Sequence, residues 1–210
     1  MSAIRHDSAR LRWLEALTET ALLGDGRIVV LRPITAEDEA AHFEFATHVT
    51  PTDAHFRFFR LMSDEALRAL LSRFSQIDYE KEMAFIAVDS NTSPPTTLGV
   101  IRAVRLAGTD DAEFAIIVRS DMKGIGLGHQ LMRKIIEYSR STGTQRLIGE
   151  MLIDNHQMQH LARAFGFTLT QTDHDIIEAL TDFHWNCVQM RMIGWSYPIG
   201  SQTWNFRLGS

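Results

Sequence analysis

Between positions 118 and 129 the chain reads VRSDMKGIGLGH, with glycines at 124, 126 and 128 behind Lys123. Glycine lets a backbone approach a ligand closely. Where a helix follows, its first amides lack intrahelical partners and carry the positive end of the helix dipole. A turn built this way favours pyrophosphate. A tight strand-to-helix turn needs no ligand at all and is the plain alternative. A P-loop requires GxxxxGK[ST], and neither Lys-Ser nor Lys-Thr follows these glycines. A dinucleotide fingerprint requires GxGxxG in a parallel βαβ unit, whereas GxGxG here follows strand-like runs separated by turns.

Other residue groups carry weaker signals. His156 and His160 stand four apart on a helical segment, but HQMQH lacks the glutamate of HExxH and no third ligand presents itself, so no metal is expected. Phe56, Phe58 and Phe59 alternate with Arg57 and Arg60, a composition suited to packing helices on a sheet. Asn155 precedes a helical pattern and is a natural N-cap.

These residues need elements to hold them. Leu11, Leu14, Leu17 and Ala21 have helical spacing, which predicts an amphipathic helix over residues 9–23 ending near Gly24 and Gly26. Residues 28–34 read as a strand leading into a helix, with Thr35 and Asp38 in capping-box positions. A second helix is expected over 63–74, from the spacing of Leu67, Leu70, Leu71 and Phe74. Runs at 84–88, 98–106 and 113–118, separated by SNTSPP and AGTDD, read as an antiparallel meander. A helix over 128–140, a strand at 147–152, a helix over 155–165 and a strand from Phe167 follow, and 188–193 is expected to close the sheet. This order is an α+β layer architecture with a mixed sheet, distinct from a doubly wound one. The chain divides as an N-terminal helical extension (1–26), a main domain (27–194) and a C-terminal tail (195–210).

The chain has 210 residues, 45% hydrophobic and 22% charged, enough to bury one good core. Its net charge of −5, without blocks of like charge, argues against nucleic acid. The single cysteine, Cys187, forms no internal disulfide, which fits a reducing cytoplasm. The first residues contain no apolar run of signal-peptide or membrane-spanning length, so no membrane partner is expected. Trp185, Trp195 and Trp204 suit aromatic packing or a homodimer interface.

Lys123-Gly124-Ile125-Gly126-Leu127-Gly128 resembles the Q/R-x-x-G-x-G/A loop of the GNAT superfamily of acyl-CoA N-acyltransferases, over roughly residues 28–170. LRPITAEDE at 31–39, HFRFFR at 55–60, IDYEKEMAFIAV at 77–88 and GEMLIDNHQM at 149–158 are similar to the acetyltransferase domain of bacterial protein-lysine acetyltransferases. The resemblance implies the GNAT fold and acetyl-CoA as cosubstrate. Amides of Gly124, Ile125, Gly126, Leu127, Gly128 and His129 would hold the pyrophosphate, with Lys123 in place of the usual Gln or Arg. Backbone groups of Ile116 and Val118 on a splayed strand would receive the pantetheine arm and polarise the thioester. Asn155 would add a contact to CoA, and Glu113 would serve as general base. Ala162 stands where many relatives carry the tyrosine that protonates the leaving thiolate. The HFRFFR segment would lie near the acceptor, where Asp78, Tyr79 and Glu82 could meet a basic substrate. The implied activity is acetylation of a primary amine, a protein lysine first. A small amine acceptor, or a non-catalytic acyl-CoA-binding regulatory module, are the alternatives.

Overall fold

The computed structural model describes residues 10–59 and 64–183. Its helices are α1 (residues 10–16), α2 (Glu39–Thr47), α3 (Pro51–Phe58), α4 (Asp64–Ser75), α5 (Leu127–Ser141) and α6 (His156–Ala164). Its strands are β1 (Glu19–Leu22), β2 (Ile28–Pro33), β3 (Glu82–Asp89), β4 (Thr96–Arg105), β5 (Ala112–Val118), β6 (Arg146–Leu152), β7 (Thr168–Gln171) and β8 (Ile176–Asp182). They form one sheet in the order β1-β2-β3-β4-β5-β6-β8-β7, antiparallel throughout except where β5 meets β6. This is the mixed α+β arrangement expected from the element order.

Apolar residues cover both faces. On one, Leu127, Leu131, Met132 and Ile135 of α5 pack against Leu31, Met83, Phe85 and Ile101, all nearly inaccessible. On the other, Phe45 of α2 joins Ile34, Ala84, Ile86 and Val100. Because both faces are covered, β3 and β4 read as continuous apolar runs rather than alternating ones. Arg102, buried in β4, is tolerated because it donates to the Glu82 carboxylate and the Phe74 carbonyl.

Two sequence expectations need correction, and a third is not reached. The helix over 9–23 ends at residue 16, and residues 19–22 form β1, paired with β2. Leu14 stays in that helix, whereas Ala21, at helical spacing from it, lies in β1. The strand wins because Gly26, at φ 86°, closes a hairpin with the Leu23 amide donating to the Arg27 carbonyl at 2.8 Å. Glu19 then ties β1 to α5 through Arg133 and Lys134. Secondly, three helices, not two, lie between β2 and β3. The additional one, α3, starts at the Thr50 N-cap, whose hydroxyl accepts from the Asp53 amide at 3.3 Å, with Pro51 in the first turn. The strand inserted between β6 and β7 is β8; the strand expected at 188–193 lies outside the described residues, as do Trp185, Trp195 and Trp204.

The feature that positions the site is the short pairing of β5 with β6. The two strands register only at Ala112 with Leu147 and Glu113 with Ile148, then part. Where they part, the Phe114 ring lies over Gly149, so close that a Cβ there would clash with it. Phe114 is itself held against Phe167 at 5.3 Å between centroids. Gly149→Ala should therefore destabilise the fold by about 1–3 kcal/mol through overpacking, read as a lower midpoint in denaturant. An unchanged midpoint would show that Phe114 is free to move aside.

Candidate active site

Where β5 and β6 separate, a cavity of about 640 Å³ opens, walled by β5, α3, α6 and the glycine loop. Beyond Glu113 the register gives β5 a partner on its β4 side alone, leaving its other edge toward the cavity. Ile116 and Val118 line this edge and Glu113 stands at the fork, an exposed carboxylate.

At the far end the loop is constrained from three sides. Met122 anchors it in the core. The Gly24 amide, in the β1–β2 turn, donates to the Ile125 carbonyl at 2.8 Å. From α3, Asp53 accepts from Ser120 Oγ at 2.5 Å and from the Lys123 ammonium. Burial opposes ionisation of Asp53, but hydrogen bonds from Lys123, Ser120 and Thr50 outweigh it and hold its pKa below the usual carboxylate value. Lys123, expected to face a diphosphate, thus already has a carboxylate partner in α3.

The glycines divide by role. Gly124 and Gly126 sit at φ 78° and 88° with nothing within 4 Å of a Cβ position, so the backbone conformation, and not crowding, demands glycine there. Gly126 is the N-cap of α5, so the following amides of Leu127, Gly128 and His129 begin that helix and lack intrahelical acceptors. Gly128 has ordinary backbone geometry, and a Cβ there would meet Leu161 of α6 at 3.5 Å, an ordinary contact, so neither conformation nor crowding demands glycine. His129 turns its ring onto Phe165, 4.5 Å between centroids. Asn155 accepts from the Met158 amide at 3.1 Å, capping α6, and also lines the cavity. A strand edge with unpaired positions, ending at a helix N-terminus whose amides point outward, can hold an extended arm and a diphosphate respectively.

The family model described as acetyltransferase (GNAT) domain matches residues 29–168. The chain belongs to the GNAT acetyltransferase family. An acetyltransferase of Pseudomonas aeruginosa is 32% identical over 163 residues, 78% of this chain and 83% of that protein. Among solved structures, the GNAT domain of PAT from S. lividans has a TM-score of 0.70 at 23% identity, covering 80% of this chain and 97% of that one. Spermidine N-acetyltransferase from Vibrio cholerae, in complex with CoA and spermine, has a TM-score of 0.59 at 16% identity, covering 73% and 95%.

In this GNAT acetyltransferase several further residues join the site. Glu150 of β6 lines the same cavity as Glu113. Glu113 pairs with Ile148 in parallel register, so Glu150, two residues on, shares its sheet face. Asp53 and Arg57 reach the cavity from α3. Sequence reasoning passed over Glu150 and Asp53; the signal available for Glu150 was its two-residue offset from the partner of Glu113. Asp78, Tyr79 and Glu82 are otherwise engaged, with Lys81, the Ile34 carbonyl and Arg102 respectively. Ala162 is fully buried in α6. His156 and His160 are exposed, and among the described residues no group of three or more potential ligands could hold a metal ion. Nor is any described helix long and apolar enough to cross a membrane.

Gly126→Ala forces an L side chain into the left-handed region, at a cost of about 1–2 kcal/mol. Acetyl-CoA affinity should fall roughly tenfold, read by calorimetry on protein shown to be folded. Unaltered affinity would detach the loop conformation from binding.

Proposed function

We propose that this enzyme transfers an acetyl group from acetyl-CoA directly to a primary amine, a lysine side chain of another protein, with Glu113 as general base. The observation that carries this reading is the position of Glu113 at the fork of β5 and β6. Five residue steps along the strand, about 17 Å at ~3.3 Å per residue, separate it from Val118 beside the loop. An extended arm lying along that edge puts its acyl end near Glu113 when its phosphates are at residues 124–129.

An amine acceptor arrives as an ammonium ion with a pKa of about 10.4 and must lose a proton before attacking. Glu113 takes that proton directly or through water. Nitrogen then adds to the thioester carbon while β5 backbone donors near Ile116 and Val118 stabilise the oxyanion. Collapse expels the CoA thiolate as the nitrogen of the adduct releases its extra proton to water, and with Ala162 in place of an acidic side chain, water returns a proton to the thiolate. Little help is needed, since a thiol of pKa about 8.5 leaves readily. The route has no covalent enzyme intermediate and no role for a cysteine or a metal.

A protein acceptor is supported by the resemblance of residues 31–39, 55–60, 77–88 and 149–158 to protein-lysine acetyltransferases. A polyamine or other small amine is the second reading, favoured by two carboxylates, Glu113 and Glu150, in one cavity. A thiol-release assay over peptides and small amines separates them, and tight CoA binding without turnover on any amine would point to a regulatory module instead.

Glu113→Gln should lower kcat by about 10²–10⁴-fold, leave CoA affinity nearly unchanged, and shift the residual rate toward higher pH. An unaltered pH profile would remove Glu113 from the role.

A further inference from the structure

Among the described residues Arg57 stands without an ion-pair partner. Arg57 lines the same cavity as Glu113 and Glu150, and its guanidinium carbon lies 5.1 and 6.0 Å from the centroids of the Phe58 and Phe74 rings. Burial and the nearby Arg102 cation push its pKa down to about 10, while Glu113 is near enough to pull the other way. Among the described residues no hydrogen bond or ion pair reaches it. Arg102 does not share this condition, because Glu82 and the Phe74 carbonyl take its donors. At neutral pH Arg57 remains charged, with five donors in a planar fork suited to a carboxylate. A partly desolvated, unpaired guanidinium is costly to keep, and an anion that enters recovers the cost. The remainder of α3 shows what such pairing looks like, since Asp53, one turn earlier, is fully engaged by Ser120 and Lys123.

We propose that Arg57 binds a carboxylate carried by the acceptor close to the amine that is acetylated. The inference rests on the reading of Glu113 as the base that receives that amine. Fixed charges of opposite sign, Arg57 and Glu113, then face a zwitterionic acceptor in reversed order, carboxylate to guanidinium and ammonium to glutamate. The same chemistry has two sources: an aspartate or glutamate flanking a lysine in a protein, or the α-carboxylate of a free amino acid. Arg57 is thus a specificity residue on the acceptor side of the cavity. Phe59, held at φ 57° as the C-cap of α3 and exposed at the cavity, closes the same helix end.

Initial rates are compared for lysine peptides with a neighbouring Asp or Asn, and for a free amino acid against its amide, in the wild type and in Arg57→Gln and Arg57→Lys. The wild type should prefer the carboxylate in one of the two arms by about tenfold or more in kcat/KM, mainly through KM. Arg57→Gln should erase the preference and Arg57→Lys should restore part of it. Which arm responds identifies the source. Equal rates for acid and amide in the wild type, or a preference that survives Arg57→Gln, would overturn the proposal. So would an Arg57→Gln loss that is equal for both members of a pair and accompanied by a moved acidic limb of the pH profile, which would make Arg57 a positioning residue for Glu113. Calorimetric titration of the same pairs, N-acetylated, into the CoA complex reads the preference without turnover. If no amine is acetylated, the proposed function fails while this measurement still decides the anion site. Acetyl-CoA affinity and the melting temperature, measured on each variant, identify loss through misfolding.

Discussion

Two strands that hydrogen-bond for two residue pairs and then separate are the constraint on which the site depends. Had β5 and β6 stayed paired beyond Glu113 and Ile148, the edge carrying Ile116 and Val118 would be consumed by the sheet and no cavity would exist. The parting is made tolerable by packing. Phe114 fills the space over Gly149 on one face, and the antiparallel ladder of β4 with β5 continues unbroken to Val118, so the exposed edge belongs to a strand held rigidly from behind. A cleft in a sheet is thus obtained without loosening its core.

Around that cleft the polar network joins elements distant in sequence. Lys123 in the loop and Asp53 in α3 are an ion pair, and Ser120 donates to the same carboxylate. The hairpin of β1 and β2 touches the loop through Gly24 and Ile125, and β1 is pinned to α5 by Glu19. The loop is therefore fixed from α3 and from the N-terminal hairpin together. A preformed loop of this kind spends little conformational entropy when a ligand arrives.

Much of this was legible in the sequence. The spacing of Gly124, Gly126 and Gly128, the meander before them and the capped helix at Asn155 are local patterns, and local patterns survive folding. The N-terminal strand was not legible, because Leu14, Leu17 and Ala21 satisfy helical spacing and only the neighbouring edge of β2 decides against it. The helix α3 was hidden in a segment whose three phenylalanines read as core, although Thr50 and Pro51 are a start signal. The partner of Lys123 lies 70 residues away, and the lack of one for Arg57 among the described residues is a tertiary property that no spacing encodes.

The claim at the centre is that acetyl-CoA lies along the open edge of β5 with its diphosphate on the amides that start α5. Amide shifts in a ¹⁵N-labelled sample titrated with CoA test this most directly. The account predicts the largest changes at residues 114–118 and 124–129, with β2 and β3 nearly still. Saturable binding whose shifts fall elsewhere, with those two segments unmoved, would contradict it.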